Sequence, residues 1–161
     1  MVNTDELEAL TLALEVEKAE MKFYLEMARK AKEERASRMF LFLASEEAEH
    51  WDIFEDNLIK KLVEKCKLPS FDKEYLKKLT PVYGGQLSEV KAVELGMEQE
   101  KRTWEFYEKA AREARDEDVG KVFHELAEVE KAHYELLRAQ YDSIMKTGIW
   151  MDYQDFSLEI D

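Results

Sequence analysis

An internal repeat is the feature of this sequence that most restricts its fold. Phe23-Tyr24 returns as Phe106-Tyr107, and each residue is displaced by 83 positions from its counterpart. The same offset relates three pairs of glutamates and histidines: Glu17 and Glu100, Glu47 and Glu130, and His50 and His133. The chain is therefore expected to fold as two similar halves, each carrying one copy of this set.

Long helices account for most of each half, because only five glycines and two prolines interrupt the 161 residues. Apolar residues recur at the three- and four-residue steps of an amphipathic helix in four segments. We predict helices over residues 4–34, 35–66, 88–115 and 117–146. The connections within each pair are short and polar, which predicts two antiparallel helical hairpins.

The segment between the hairpins, residues 67–86, contains both prolines and the Gly84-Gly85 doublet. We expect a short helix within it near residues 72–78. Two helical hairpins joined by one long crossover form a ferritin-like four-helix bundle, an all-α fold that we predict for residues 1–146. Residues 147–161 form an aromatic and acidic tail, and the sequence does not indicate whether it packs on the bundle or on a partner.

Helical phase separates the repeated glutamates and histidines from the many other charged residues. Glu17 interrupts an otherwise apolar row, whereas Glu15 belongs to a polar stripe of the same helix. The residues that point inward by this test are Glu17, Glu47, His50, Glu100, Glu130 and His133. His124 has no histidine counterpart in the repeat, and we predict that it lies at the surface.

Four carboxylates buried in an apolar bundle require cations, because an unpaired buried charge costs several kcal/mol. In each Glu-x-x-His unit the two side chains lie one helical turn apart, so both reach the same ion. Two such units plus one glutamate from each remaining helix form the ligand set of di-iron and di-manganese bundles. We therefore predict two iron ions, with manganese as the alternative, bridged by Glu47 and Glu130 and also bound by Glu17 and Glu100.

Four further residues are candidates for supporting roles. Glu20 faces inward one turn after the first ligand and is a candidate additional ligand. Tyr24 and Tyr107 lie two turns beyond the first glutamate of their helices, where the hydroxyl either bonds a ligand carboxylate or packs in the core. Glu46 borders the inward face, as either a contact of a ligand or a surface residue.

Composition excludes several classes of partner. The 37 acidic and 24 basic residues give a net charge of −13, which argues against binding to nucleic acid. Cys66 is the only cysteine, so neither an internal disulfide nor a CxxC metal site can form. The sequence has no basic, apolar start and no apolar stretch of about 18 residues. We expect a cytoplasmic protein without a membrane partner.

Four stretches carry a resemblance to a known family: EVEKAEMKFYLEMARKA, LFLASEEAEHWDIF, EQEKRTWEFYEKAAREA and LAEVEKAHYELL. They resemble the four ligand helices of the rubrerythrin branch of the ferritin-like superfamily, over residues 6–141. The resemblance implies a di-iron peroxidase that reduces hydrogen peroxide to water, commonly as a homodimer. The family's ligand positions fall on the same six residues that helical phase selects.

The chain departs from that family pattern in two ways. Typical rubrerythrins append a four-cysteine rubredoxin domain that supplies electrons, and with one cysteine this sequence implies a separate electron-donor protein such as a rubredoxin. The family also has an additional glutamate where this chain has Arg102-Thr103. Without it the ligand set is closer to that of bacterioferritin-type ferroxidases, unless Glu20 substitutes from the opposite side.

Three functions therefore remain open at the level of sequence. The first is peroxide reduction at a di-iron site. The second is ferroxidase or iron-handling activity, in which Fe(II) is oxidised by oxygen. The third is a metal-stabilised interaction module whose tail meets a partner.

Overall fold

The computed structural model describes residues 6–65 and 71–155, with the side chains of residues 62–65 excepted. This part of the chain is helical and contains no strands. The helices are α1 (Glu6–Lys30), α2 (Glu34–Lys65), α3 (Lys73–Leu79), α4 (Glu89–Glu113) and α5 (Glu117–Thr147), followed by a 3₁₀ turn at Tyr153–Asp155. Cys66, part of the crossover and the end of the tail lie outside the described residues.

The predicted ferritin-like four-helix bundle is confirmed. Helices α1 and α2 form one hairpin and α4 and α5 form the other, while α1 packs on α4 and α2 packs on α5. The short helix α3 lies in the crossover and contacts α1 and α4. In the described part of the chain, no helix combines the length and apolar character needed to cross a membrane.

The apolar core is divided into two clusters along the bundle. One contains Phe54 and Phe123, and the other contains Phe40 and Leu137. On α1 the first cluster reaches Val16 and the second begins at Phe23, with buried glutamates between them. A polar layer therefore separates two apolar layers near the middle of the bundle.

The hairpin loops are held by glutamates from the opposite hairpin. Glu89, at the start of α4, accepts hydrogen bonds at Oε1 from the backbone N–H groups of Lys32 and Glu33, the latter at 2.9 Å. Glu6, at the start of α1, accepts the equivalent pair from residues 115–116. These bonds explain why α1 ends at Lys30 rather than at the predicted residue 34, since the loop N–H groups bond across the bundle.

The tail folds back onto the second apolar cluster. Gly148 ends α5 in the left-handed conformation with φ of 69°, which favours glycine. Trp150 is buried, and its carbonyl accepts a hydrogen bond from Arg35 at 2.7 Å. The side chain of Gln140 donates to the backbone carbonyl of Met151 at 2.8 Å and accepts from its N–H at 2.9 Å. The described part of the tail is thus tied to both α2 and α5.

Candidate metal centre

The polar layer brings all six predicted glutamates and histidines together. The four glutamates are 0 % exposed, and the two histidines are 5 % and 1 % exposed. They come from all four long helices, because helical phase points each side chain toward the common axis. The residues are Glu17 on α1, Glu47 and His50 on α2, Glu100 on α4, and Glu130 and His133 on α5.

One group of ligand atoms surrounds the inner nitrogen of His50. Its Nδ1 lies 3.1 Å from Glu17 Oε2, 3.3 Å from Glu47 Oε2 and 3.0 Å from Glu130 Oε1. An imidazole nitrogen carries at most one hydrogen, so it cannot donate to three carboxylates at once. The three oxygens and the nitrogen lie close enough together to bind one shared cation.

A second group surrounds the inner nitrogen of His133. Its Nδ1 lies 3.4 Å from Glu47 Oε1, 3.2 Å from Glu130 Oε2 and 3.8 Å from Glu100 Oε2. Glu47 and Glu130 therefore direct one oxygen to each histidine. In each group of four residues, one ligand atom per residue lies within 4.8 Å of the others.

The buried oxygens test whether these residues suit metal ions. Both oxygens of Glu47, Oε2 of Glu100 and Oε1 of Glu130 are buried and make no hydrogen bond within the protein. Buried polar atoms are almost always satisfied, so orphaned carboxylate oxygens at one point need another partner. Carboxylate and imidazole donors suit iron and manganese. The cluster is therefore compatible with a two-metal site.

The charged groups of the cluster shift one another's pKa values. Burial raises the pKa of Glu17 and Glu100 well above the usual value, and the charges of Glu47 and Glu130 raise it further. Burial also acts to raise the pKa of Glu130, but the charge of His50 and the contacts with both histidines lower it overall. The metal-free cluster thus holds more negative charge than its surroundings stabilise.

Tyr24 and Tyr107 each form a hydrogen bond that links one hairpin to the other. Tyr107 on α4 donates a hydrogen bond to Oε1 of Glu17 on α1, and Tyr24 on α1 donates to Oε1 of Glu100 on α4. Each of these glutamates therefore gives one oxygen to a tyrosine and the other to the cluster. The sequence leaves open whether the tyrosines bond ligand carboxylates or pack in the core; the structure shows that both bond carboxylates, each on the opposite hairpin.

Glu20 lies next to the cluster but outside both ligand groups. It is 0 % exposed, and its Oε1 accepts hydrogen bonds from Thr103 and from Gln99, the latter at 2.8 Å. Its Oε2 is buried without a hydrogen bond. Thr103 is the repeat counterpart of Glu20, so the two halves differ at this position.

Sequence reasoning missed Gln99 and left Glu46 undecided. Gln99 is fully buried on α4, and a polar residue at a buried helical phase was the available signal. Glu46 approaches the outer nitrogen of His133, with Oε2 3.8 Å from Nε2. His124 is exposed, as predicted.

Comparisons with known proteins agree with the family resemblance and with the helical-bundle fold. A model of the rubrerythrin family matches residues 8–141 of the chain. A solved structure of a hypothetical protein from Pyrococcus furiosus is similar with a TM-score of 0.76 and 25 % identity, covering 90 % of this chain and 93 % of that one. No curated protein shows a significant match to the sequence.

Proposed function

Because the chain belongs to the rubrerythrin family, we propose that it is a di-iron oxidoreductase that reduces hydrogen peroxide to water with electrons from a separate donor protein. The observation that supports a two-metal site in this proposal is the orientation of Glu47 and Glu130, each of which directs one oxygen to His50 and the other to His133. This arrangement suits a pair of ions, each bound by one oxygen of both glutamates.

Each of the six residues has a defined role in this proposal. Glu47 and Glu130 would each contribute to both metal positions; Glu17 and His50 would complete one, and Glu100 and His133 would complete the other. Two iron ions held there would supply the two electrons that reduction of one peroxide consumes. Tyr24 and Tyr107 fix the orientation of the terminal carboxylates by occupying their second oxygens, as outer hydrogen-bond partners of metal ligands do.

The protein must also exclude water and supply protons. The apolar clusters above and below the site keep bulk water out, which strengthens the electrostatic contacts inside. Reduction of one peroxide to two waters consumes two protons. Burial and the charge of Glu47 raise the pKa of Glu20 well above the usual value. Since Oε1 of Glu20 accepts two hydrogen bonds, a proton held by this carboxyl lies on Oε2.

A ferroxidase is the second candidate function, and it is favoured by one observation. The family pattern has its additional glutamate in the region of Arg102-Thr103, and here Thr103 donates a hydrogen bond to Glu20. A threonine hydroxyl is a poor replacement for an anionic ligand. If Glu20 does not act as that ligand, the set is that of an enzyme that oxidises Fe(II) with oxygen.

The experiment that tests the proposal begins with anaerobic loading of the protein with Fe(II). The reduced protein is then mixed rapidly with hydrogen peroxide or with oxygen while absorbance is followed. We expect peroxide to react faster, and turnover to require an added one-electron carrier such as a rubredoxin with its reductase. A faster reaction with oxygen, with iron accumulating beyond two ions per chain, would instead establish the ferroxidase.

A further inference from the structure

The two candidate metal positions differ on their outer sides, where the second nitrogen of each histidine lies. Nε2 of His133 lies 3.8 Å from Oε2 of Glu46. In the described part of the chain, no carboxylate makes an ion pair with Nε2 of His50, whose contacts with Glu17, Glu47 and Glu130 all involve Nδ1. In the described residues, His133 therefore has a carboxylate near its Nε2, whereas His50 has none near its Nε2.

The internal repeat explains this difference. Glu46 on α2 has Val129 on α5 as its counterpart, so the repeat does not place a second carboxylate at the matching point. Phe42, also on α2, contacts the ring of His133 edge-on with centroids 6.5 Å apart. The Phe42 ring also stacks on Tyr153 of the tail, with ring centroids 4.8 Å apart. These contacts restrict the plane of the His133 ring and hence the direction of both nitrogens.

We propose that Glu46 is a positioning residue that makes the metal position at His133 tighter than the position at His50. This inference rests on the metal centre of the proposed function. A histidine that binds metal through Nδ1 carries its hydrogen on Nε2, and a carboxylate facing Nε2 favours that tautomer and makes Nδ1 a stronger donor.

The separation between Glu46 and His133 is compatible with this role. A distance of 3.8 Å is longer than a direct hydrogen bond, so in this conformation the carboxylate acts on Nε2 through its charge. The Glu46 side chain is 32 % exposed, so a rotamer change that moves its carboxylate does not require the core to repack. The His133 side chain is 1 % exposed and its ring is held by Phe42.

The test is a titration of the metal-free full chain with Co(II), followed by visible absorption. Wild type should bind two ions in two phases of different affinity. Glu46→Gln should lower the affinity of the tighter phase by about 10- to 100-fold and leave the weaker phase and the total of two ions unchanged. The denaturant midpoint of metal-free Glu46→Gln should match wild type, which separates positioning from a structural role.

Two further variants assign the phases and control for charge. His133→Ala should remove the tighter phase, and His50→Ala should remove the weaker one. Glu49→Gln removes the same charge from an exposed position of the same helix and should leave both phases unchanged. Equal affinities in wild type, an unchanged tight phase in Glu46→Gln, or an equal loss in Glu49→Gln would overturn the inference. Absence of any metal binding would instead contradict the metal centre itself.

Discussion

Glu47 and Glu130 differ from the other candidate ligands because each serves both positions. Their replacement by alanine should remove one oxygen from each ion, so that both ions are lost or bound weakly. Glu17→Ala and Glu100→Ala should each retain about one ion, because the other position keeps its four ligands. Metal per chain, measured by elemental analysis after loading and desalting, checks this prediction.

The matched control is His124→Ala, which removes an exposed histidine from the same helix as Glu130 and His133. This variant should keep two ions per chain. Two ions retained by Glu47→Ala or Glu130→Ala, in protein whose circular dichroism shows an intact bundle, would contradict the bridging role.

Glu20 is the residue on which the choice between the two activities depends. Glu20→Gln keeps the shape of the side chain and an oxygen that can accept from Thr103, but the amide can neither release a proton nor act as an anionic ligand. We expect peroxide turnover to fall by about 100-fold or more, as for loss of an acid catalyst, with loading still at two ions. Stopped-flow kinetics check this expectation.

Glu15→Gln is the control for Glu20, because Glu15 lies on the outer side of the same helix and pairs with Lys18. Its peroxide rate should equal that of wild type. Equal rates for Glu20→Gln and wild type would remove Glu20 from the reaction and strengthen the ferroxidase alternative.

At the scale of helices and loops, Glu6 and Glu89 are the contacts that hold the ends of the bundle. Replacing either by alanine leaves two backbone N–H groups without their partner and should lower the free energy of unfolding by about 1 kcal/mol, as for loss of a helix cap. The two sites lie at opposite ends of α1, about 37 Å apart at 1.5 Å per residue.

Denaturant unfolding of the single and double variants measures these effects. The two losses should add within about 0.5 kcal/mol, because distant sites without shared partners act independently. Glu94→Ala, which removes only a surface ion pair with Lys91, should change stability by less than about 0.5 kcal/mol. A strongly non-additive double variant would show that the loops are coupled through the bundle.

The four long helices and the six clustered residues could be predicted from sequence because both depend on local periodicity. Glu17 is recognisable as buried from its neighbours on α1 alone. The hydrogen bond from Tyr24 to Glu100 depends on how the two hairpins pack, so the spacing of residues within one helix cannot predict it. The same holds for Glu89 and the distant loop at Lys32, a contact that ended α1 before its predicted boundary.

For the molecule as a whole, the cluster should make stability depend on bound metal, and the pH dependence of stability should have opposite signs in the metal-free and metal-loaded forms. Removing the ions should lower the melting temperature, since metal binds the folded state. Burial raises the pKa of Glu17, Glu20 and Glu100, so the metal-free folded state takes up protons before the unfolded chain does. Its stability should therefore rise as pH falls from about 8 toward about 5, just above the ordinary glutamate pKa.

The metal-loaded protein should show the opposite trend, because protons compete with metal for the ligand carboxylates and imidazoles. Melting temperatures of chelated and loaded protein, measured across this pH range, check both trends. Parallel pH profiles for the two forms would show that the buried carboxylates do not hold metal.

The reciprocal bonds of the tyrosines and of Glu6 and Glu89 show that the two halves of the repeat are arranged with approximate two-fold symmetry. Two separate copies of one hairpin, assembled around a two-fold axis, would be obliged to place identical residues on both sides of the site. Joining the halves in one chain removes that obligation. Glu20 can then pair with Thr103, its counterpart in the repeat. Likewise, Glu46 can lie near Nε2 of His133 while its counterpart is Val129.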